Sequence, residues 1–105
     1  MMVSIYVDDR AKDKYLSASS PFPVCAKIAK AQVAELDPSF VRGFFVMVKM
    51  PAGYDPEHGD WWYAMFDGTG SVSRQTGKLE ACIACHTQAA EADYVFAKQV
   101  LESLK

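Results

Sequence analysis

Cys82-Ile83-Ala84-Cys85-His86 sets two thiols three positions apart and follows the second directly with an imidazole. On a single helical turn that spacing brings both sulfurs to one side, and the next residue can swing beneath a flat ring held by them. The thiols can add across the two vinyl groups of a haem while the histidine binds its iron, the pattern of c-type haem attachment. Two other chemistries share these residues. A C-x-x-C pair can serve as a redox disulfide, and Cys25 with Cys82, Cys85 and His86 would supply a Cys3His zinc set. Thioredoxin-type pairs open a helix early in a βαβ unit, whereas this pair stands late and lacks that context. Only haem attachment requires a histidine directly after the second cysteine.

The second axial position of such an iron is the next question. Electron-carrying cytochromes c carry C-x-x-C-H early and supply a methionine from well downstream. Here nineteen residues follow His86, with no Met or His among them. Met47, Met50, Met65 and His58 are the upstream candidates, although a methionine in an apolar strand ordinarily packs the core. An open iron position is the leading expectation, pointing to gas binding or catalysis rather than simple electron transfer.

The elements that must present the motif can be read in outline. With 105 residues, half of them hydrophobic, the chain fits a single haem-binding domain over 1–105, in which the haem would form a large part of the core. A net charge of −2 gives no basic field for nucleic acid or anionic lipid, and no apolar run is long enough for a membrane span. Val3, Ile5 and Val7 alternate with polar neighbours as a first strand. Asp8 or Asp9 can cap a short helix through Tyr15 and Leu16, stopped at Ser19-Ser20-Pro21.

From Cys25 to Leu36 the signals conflict, since composition favours helix while Ala26, Ile28 and Lys30 could share one strand face. Gly43 to Met50 is a short apolar run rich in aromatic and β-branched residues and reads as a central strand. Trp61 to Phe66 reads as another, with Trp61 and Trp62 on opposite faces, closed by the turn signal Asp67-Gly68-Thr69-Gly70. Tyr94, Ala97, Leu101 and Leu104 recur at helical spacing after the motif, with Asp93 as the expected cap. Short aromatic strands separated by Gly and Pro argue against a four-helix bundle and favour an α+β fold, an antiparallel β-sheet flanked by helices with the haem motif near the C-terminus.

In the order and spacing of several segments the chain resembles cytochrome P-460 and its relative cytochrome c′-beta. These are Ile5-Tyr6-Val7-Asp8-Asp9, Pro21-Phe22-Pro23 with Ile28-Ala29-Lys30, Gly53-Tyr54-Asp55-Pro56 with Gly59-Asp60-Trp61-Trp62-Tyr63, and Gly77-Lys78-Leu79 through the haem motif to Asp93-Tyr94-Val95-Phe96. The resemblance implies a homodimer, a mainly antiparallel sheet with a strand at Cys25 to Leu36, and one covalent haem c on five-coordinate iron, with His86 as the metal ligand. In P-460 proteins a lysine of that strand is bonded to the porphyrin and the enzyme oxidises hydroxylamine. In c′-beta proteins no such bond forms, and an apolar, Phe-lined distal pocket binds nitric oxide.

Lys30 stands where that lysine would fall, against the ordinary expectation of a solvated lysine. Leu36, Phe44 and Phe45 are the apolar candidates for the distal side, with strand alternation allowing only one of the two phenylalanines on a given face. Glu35 and Glu80 are candidate proton acceptors for hydroxylamine chemistry, in which a cytochrome would accept the electrons. The family commonly has Gly where Cys25 stands and often Arg where Val3 or Ser4 is found, departures that weigh against the catalytic version. Cys25 itself reads as a small buried hydrophobe. Haem attachment by this motif is completed outside the bacterial cytoplasm, so a periplasmic protein is expected, its leader and an N-terminal segment preceding this sequence.

Overall fold

The computed structural model describes residues 2–34, 36–37, 39–71 and 73–103, apart from the side chains of 2 and 103. Five antiparallel strands follow one another across one sheet in chain order. They are β1 (Met2–Val7), β2 (Lys27–Val33), β3 (Val41–Lys49), β4 (Trp61–Asp67) and β5 (Ser73–Gly77). Helix α1 (Asp9–Leu16) lies between β1 and β2, and α2 (Glu80–His86) and α3 (Ala97–Ser103) follow the sheet. The expected α+β architecture is the one observed.

Directly opposed residues of an antiparallel sheet share a face, so the register sorts the side chains. One face carries three successive rungs: Ile5, Lys30, Phe45 and Met65; then Val7, Ile28, Met47 and Tyr63; then Lys49 opposite Trp61. The other carries Tyr6, Ala29, Val46 and Ala64 on one rung and Ala31, Phe44 and Phe66 on another. The helices build the core against the first face. Ala11 and Tyr15 of α1, Cys82 and Ile83 of α2 and Ala97 of α3 join Ile28, Met47, Trp61 and Tyr63 there. Phe22 meets Trp61 edge to face, with centroids 5.7 Å apart.

Asp8 caps α1 as expected, accepting from the Ala11 amide at 3.0 Å, and the same oxygen accepts from the Lys27 amide at 3.1 Å. One carboxylate thereby fixes the helix start against the first residue of β2. The conflicted segment resolves as strand because it buries residues of both parities, Ile28 on one face and Ala31 and Val33 on the other. Burial on both faces overrides a weak helical preference.

Three expectations need correction. Strand β5 was not foreseen, because Ser73-Arg74-Gln75-Thr76 is exposed and has no apolar alternation; it exists by pairing to the edge of β4. Asp93 does not cap the last helix. It ends a 3₁₀ segment, Thr87–Ala92, in the left-handed region (φ 55°), and α3 begins only at Ala97. Cys25 is exposed rather than buried and also has a left-handed backbone (φ 74°). That conformation accounts for Gly being common there in the family, since only Gly adopts it without steric cost. Leu104, read as part of the last helix, and Glu35 lie outside the described residues. Among the described residues no helix is long and apolar enough to cross a membrane.

Candidate functional site

Helix α2 lays the C-x-x-C-H segment along the first sheet face. Cys82 is half-buried against the core and Cys85 faces solvent, and both thiols are free. His86 ends the helix with its ring between Tyr63 and Phe96, at centroid distances of 5.5 and 5.3 Å. Its Nδ1 lies 2.7 Å from the Tyr94 carbonyl oxygen. A carbonyl only accepts, so Nδ1 carries the proton and Nε2 is the nitrogen with a free lone pair. Burial lowers the His86 pKa, the Tyr94 carbonyl opposes that, and the charge of Lys30 adds to it. The imidazole is therefore held neutral, the form that ligates a metal.

Burial also raises the Cys82 pKa, with the Lys30 charge opposing and Cys85 adding to the rise. A redox thiol needs the opposite shift, so the disulfide chemistry open to a C-x-x-C pair is disfavoured. The zinc set is not assembled either. Among the described residues no three His, Cys, Asp or Glu side chains converge on a metal position, and Cys25 stands exposed before β2 with its amide on the Lys49 carbonyl.

Tyr94 is fixed by a network that sequence reading missed. Asp93 and Tyr94 both occupy the left-handed region (φ 55° and 65°), which costs an L-residue roughly 1–2 kcal/mol. Lys49 reaches both Asp93 carboxylate oxygens at 2.7 and 2.8 Å and the Gly59 carbonyl at 2.6 Å. The Phe22 amide donates to the same carboxylate at 2.9 Å, and the Trp61 indole N–H donates to the Asp93 carbonyl at 2.8 Å. The Tyr94 ring presses on Gly59 so closely that an added Cβ there would lie 2.6 Å from it. The only sequence signal was a lysine at the end of an apolar strand, aligned with its inward-facing residues.

Of the other sequence-read candidates, Lys30 and Phe45 come together with the haem motif. They oppose each other on the first face, with the Lys30 Nζ 5.0 Å from the Phe45 ring centre, and Lys30 acts electrostatically on both Cys82 and His86. Phe44 lies on the opposite face, as alternation requires. Leu36 is fully exposed in the turn after β2, and Glu80 is exposed at the start of α2. Met47 is core, while Met65 stands opposite Phe45. His58 is engaged by both carboxylate oxygens of Asp55 at 3.1 Å.

Tyr63 supplies an independent sign that this region suits a further group. Its hydroxyl is buried and has no hydrogen-bond partner among the described residues, a condition that costs about 1–3 kcal/mol. Burial raises its pKa strongly, with Cys82, Asp55, Tyr94 and Asp93 adding. Two free thiols, a neutral imidazole with Nε2 available, and an orphan hydroxyl beside them form a donor set that fits a c-type haem. A family model described as Cytochrome P460 matches residues 1–97, a span that includes the whole motif. A search of curated proteins found no match.

Proposed function

The chain belongs to the cytochrome P460 family and is thus a haem protein, and on that premise we propose that it binds nitric oxide or a related small nitrogen species at one covalently held haem. Cys82 and Cys85 are the attachment thiols and His86 is the iron ligand. The observation that carries this is the hydrogen bond from His86 Nδ1 to the Tyr94 carbonyl, which commits one ring nitrogen and leaves Nε2 as the ligating atom beside two free thiols. Haem bound there supplies an iron with a coordination position for a small neutral ligand.

The chain's own contribution is positional. Tyr94 keeps the proton on Nδ1, and Tyr63 and Phe96 hold the ring between them. Phe45 offers an apolar wall suited to a small neutral ligand such as nitric oxide, and the Lys30 ammonium rides on that ring. Leu36, exposed in the turn after β2, joins this distal wall when haem or a second copy reorganises that turn, whereas Phe44, in β3 on the opposite face, does not.

Lys30's position on the motif face supports a second reading, a hydroxylamine-oxidising enzyme whose Lys30 is bonded to the porphyrin edge and whose electrons pass to an external cytochrome. We further propose a periplasmic homodimer, a single domain over 1–105, with the second sheet face as the contact. Trp62, Phe44 and Phe66 are half-buried on that face, and the helices build their core on the other. The test is protein exported through a haem-attachment pathway. The binding reading expects a mass increment equal to one haem, removed by Cys82→Ser with Cys85→Ser, and nitric oxide binding without hydroxylamine turnover. Turnover with an artificial acceptor, together with a Soret shift abolished by Lys30→Ala, would instead establish the enzyme.

A further inference from the structure

We infer that Lys49 and Asp93, paired beneath the sheet's last rung, are positioning residues for His86: they hold the Asp93-Tyr94 turn so that its carbonyl captures the imidazole proton. The inference rests on the reading of His86 as the iron ligand. Neither residue touches the ring. Both act through the backbone, and the path is short, since Asp93 adjoins Tyr94, whose carbonyl is 2.7 Å from His86 Nδ1.

Two consecutive L-residues do not adopt left-handed backbone unaided, and the turn is held from every side. Its carboxylate takes three donor contacts, two from Lys49 and one from the Phe22 amide, and its carbonyl takes the Trp61 indole. Lys49 and Asp93 side chains are only 13% and 10% exposed, so little water competes for the pair. Lys49 also binds the Gly59 carbonyl, and Gly59 is the residue on which the Tyr94 ring rests. The Tyr94 hydroxyl donates to the Glu57 carbonyl at 3.1 Å, closing the clamp from the loop side. A single ammonium thus ties the loop under Tyr94 to the turn that contains it.

The consequence for the ring is specific. An acceptor on Nδ1–H selects one tautomer, orients Nε2 and makes that nitrogen a stronger donor. Loosening the clamp weakens that acceptor. It lets the apoprotein's imidazole return toward the Nε2–H tautomer preferred in water, and it makes the ring a poorer electron donor to iron.

Nitrogen-15 NMR of the apoprotein at neutral pH reads the tautomer, and resonance Raman of the reduced holoprotein reads the iron–histidine stretch. Wild type is expected to show His86 as Nδ1–H alone. Lys49→Met should give a tautomer mixture and move the stretch down by several wavenumbers, Trp61→Phe should do the same to a smaller degree, and Lys49→Arg should return both toward wild type. Should Lys49→Met fail to fold, Trp61→Phe and Lys49→Arg decide the matter. Unchanged tautomer and unchanged stretch in the folded variants overturn the inference. If instead the wild-type holoprotein shows no histidine stretch while the apoprotein tautomer still responds to Trp61→Phe, His86 is not the ligand and the clamp stands.

Discussion

Lys49 and Lys30 both project from the first sheet face, two rungs apart, and their surroundings are opposites. Lys49 is nearly buried and held by a carboxylate and a carbonyl, and the groups around it are paired in turn. Lys30 is half-buried over a phenylalanine ring, and among the described residues no carboxylate lies within ion-pair distance of it. Between them Tyr63 keeps a hydroxyl without a partner among the described residues. The chain finishes its own polar chemistry at one end of the face and leaves it unfinished at the other. A satisfied buried network makes a rigid template, and an unsatisfied one marks where something else is to bind.

The sharpest break in this contrast removes the motif itself. Cys82→Ser with Cys85→Ser is expected to abolish covalent haem, read by intact mass and a pyridine haemochrome assay, while the Lys49 end remains folded by circular dichroism. Next comes the lysine pair. Lys49→Met strands a buried carboxylate and should destabilise the apoprotein by about 3–5 kcal/mol in urea unfolding, whereas Lys30→Met should change it by no more than about 1 kcal/mol. Equal losses would erase the distinction.

Tyr63→Phe sharpens it from the middle rung. Deleting the orphan hydroxyl should stabilise the apoprotein by about 1 kcal/mol. Burial raises the pKa of Tyr63 and of Tyr15, so both phenols stay protonated in the fold after the unfolded chain has begun to ionise. Their contribution is complete below the unfolded value of about 10 and is lost as pH rises above it. Alkaline unfolding should therefore begin near that pH, and should be shallower in a Tyr15→Phe, Tyr63→Phe double variant. A comparably small effect lies outside the face. Cys25→Gly relieves a left-handed backbone and should raise the urea midpoint by the equivalent of about 1 kcal/mol.

What could be read beforehand follows the same division. Strands with apolar periodicity, from Val3 to Val7, Gly43 to Met50 and Trp61 to Phe66, were legible because burial dictates side-chain type. The C-x-x-C-H motif was legible because its chemistry is local in sequence. Strand β5 was not, since an exposed edge imposes no apolar pattern on Ser73 to Gly77. The clamp was invisible for another reason. Lys49 and Asp93 meet across 44 positions, and Asp93 carried a competing local meaning as a helix cap. Lys30 was singled out only through the family resemblance, and its alignment with Phe45 required the register.

The central claim is a haem held by Cys82 and Cys85, with His86 on one side of the iron and a position for nitric oxide on the other. Optical spectroscopy of the exported, reduced protein, before and after adding nitric oxide, tests it most directly. The expected result is a high-spin five-coordinate spectrum that nitric oxide converts completely. A colourless protein, or a low-spin six-coordinate spectrum indifferent to nitric oxide, would contradict the account.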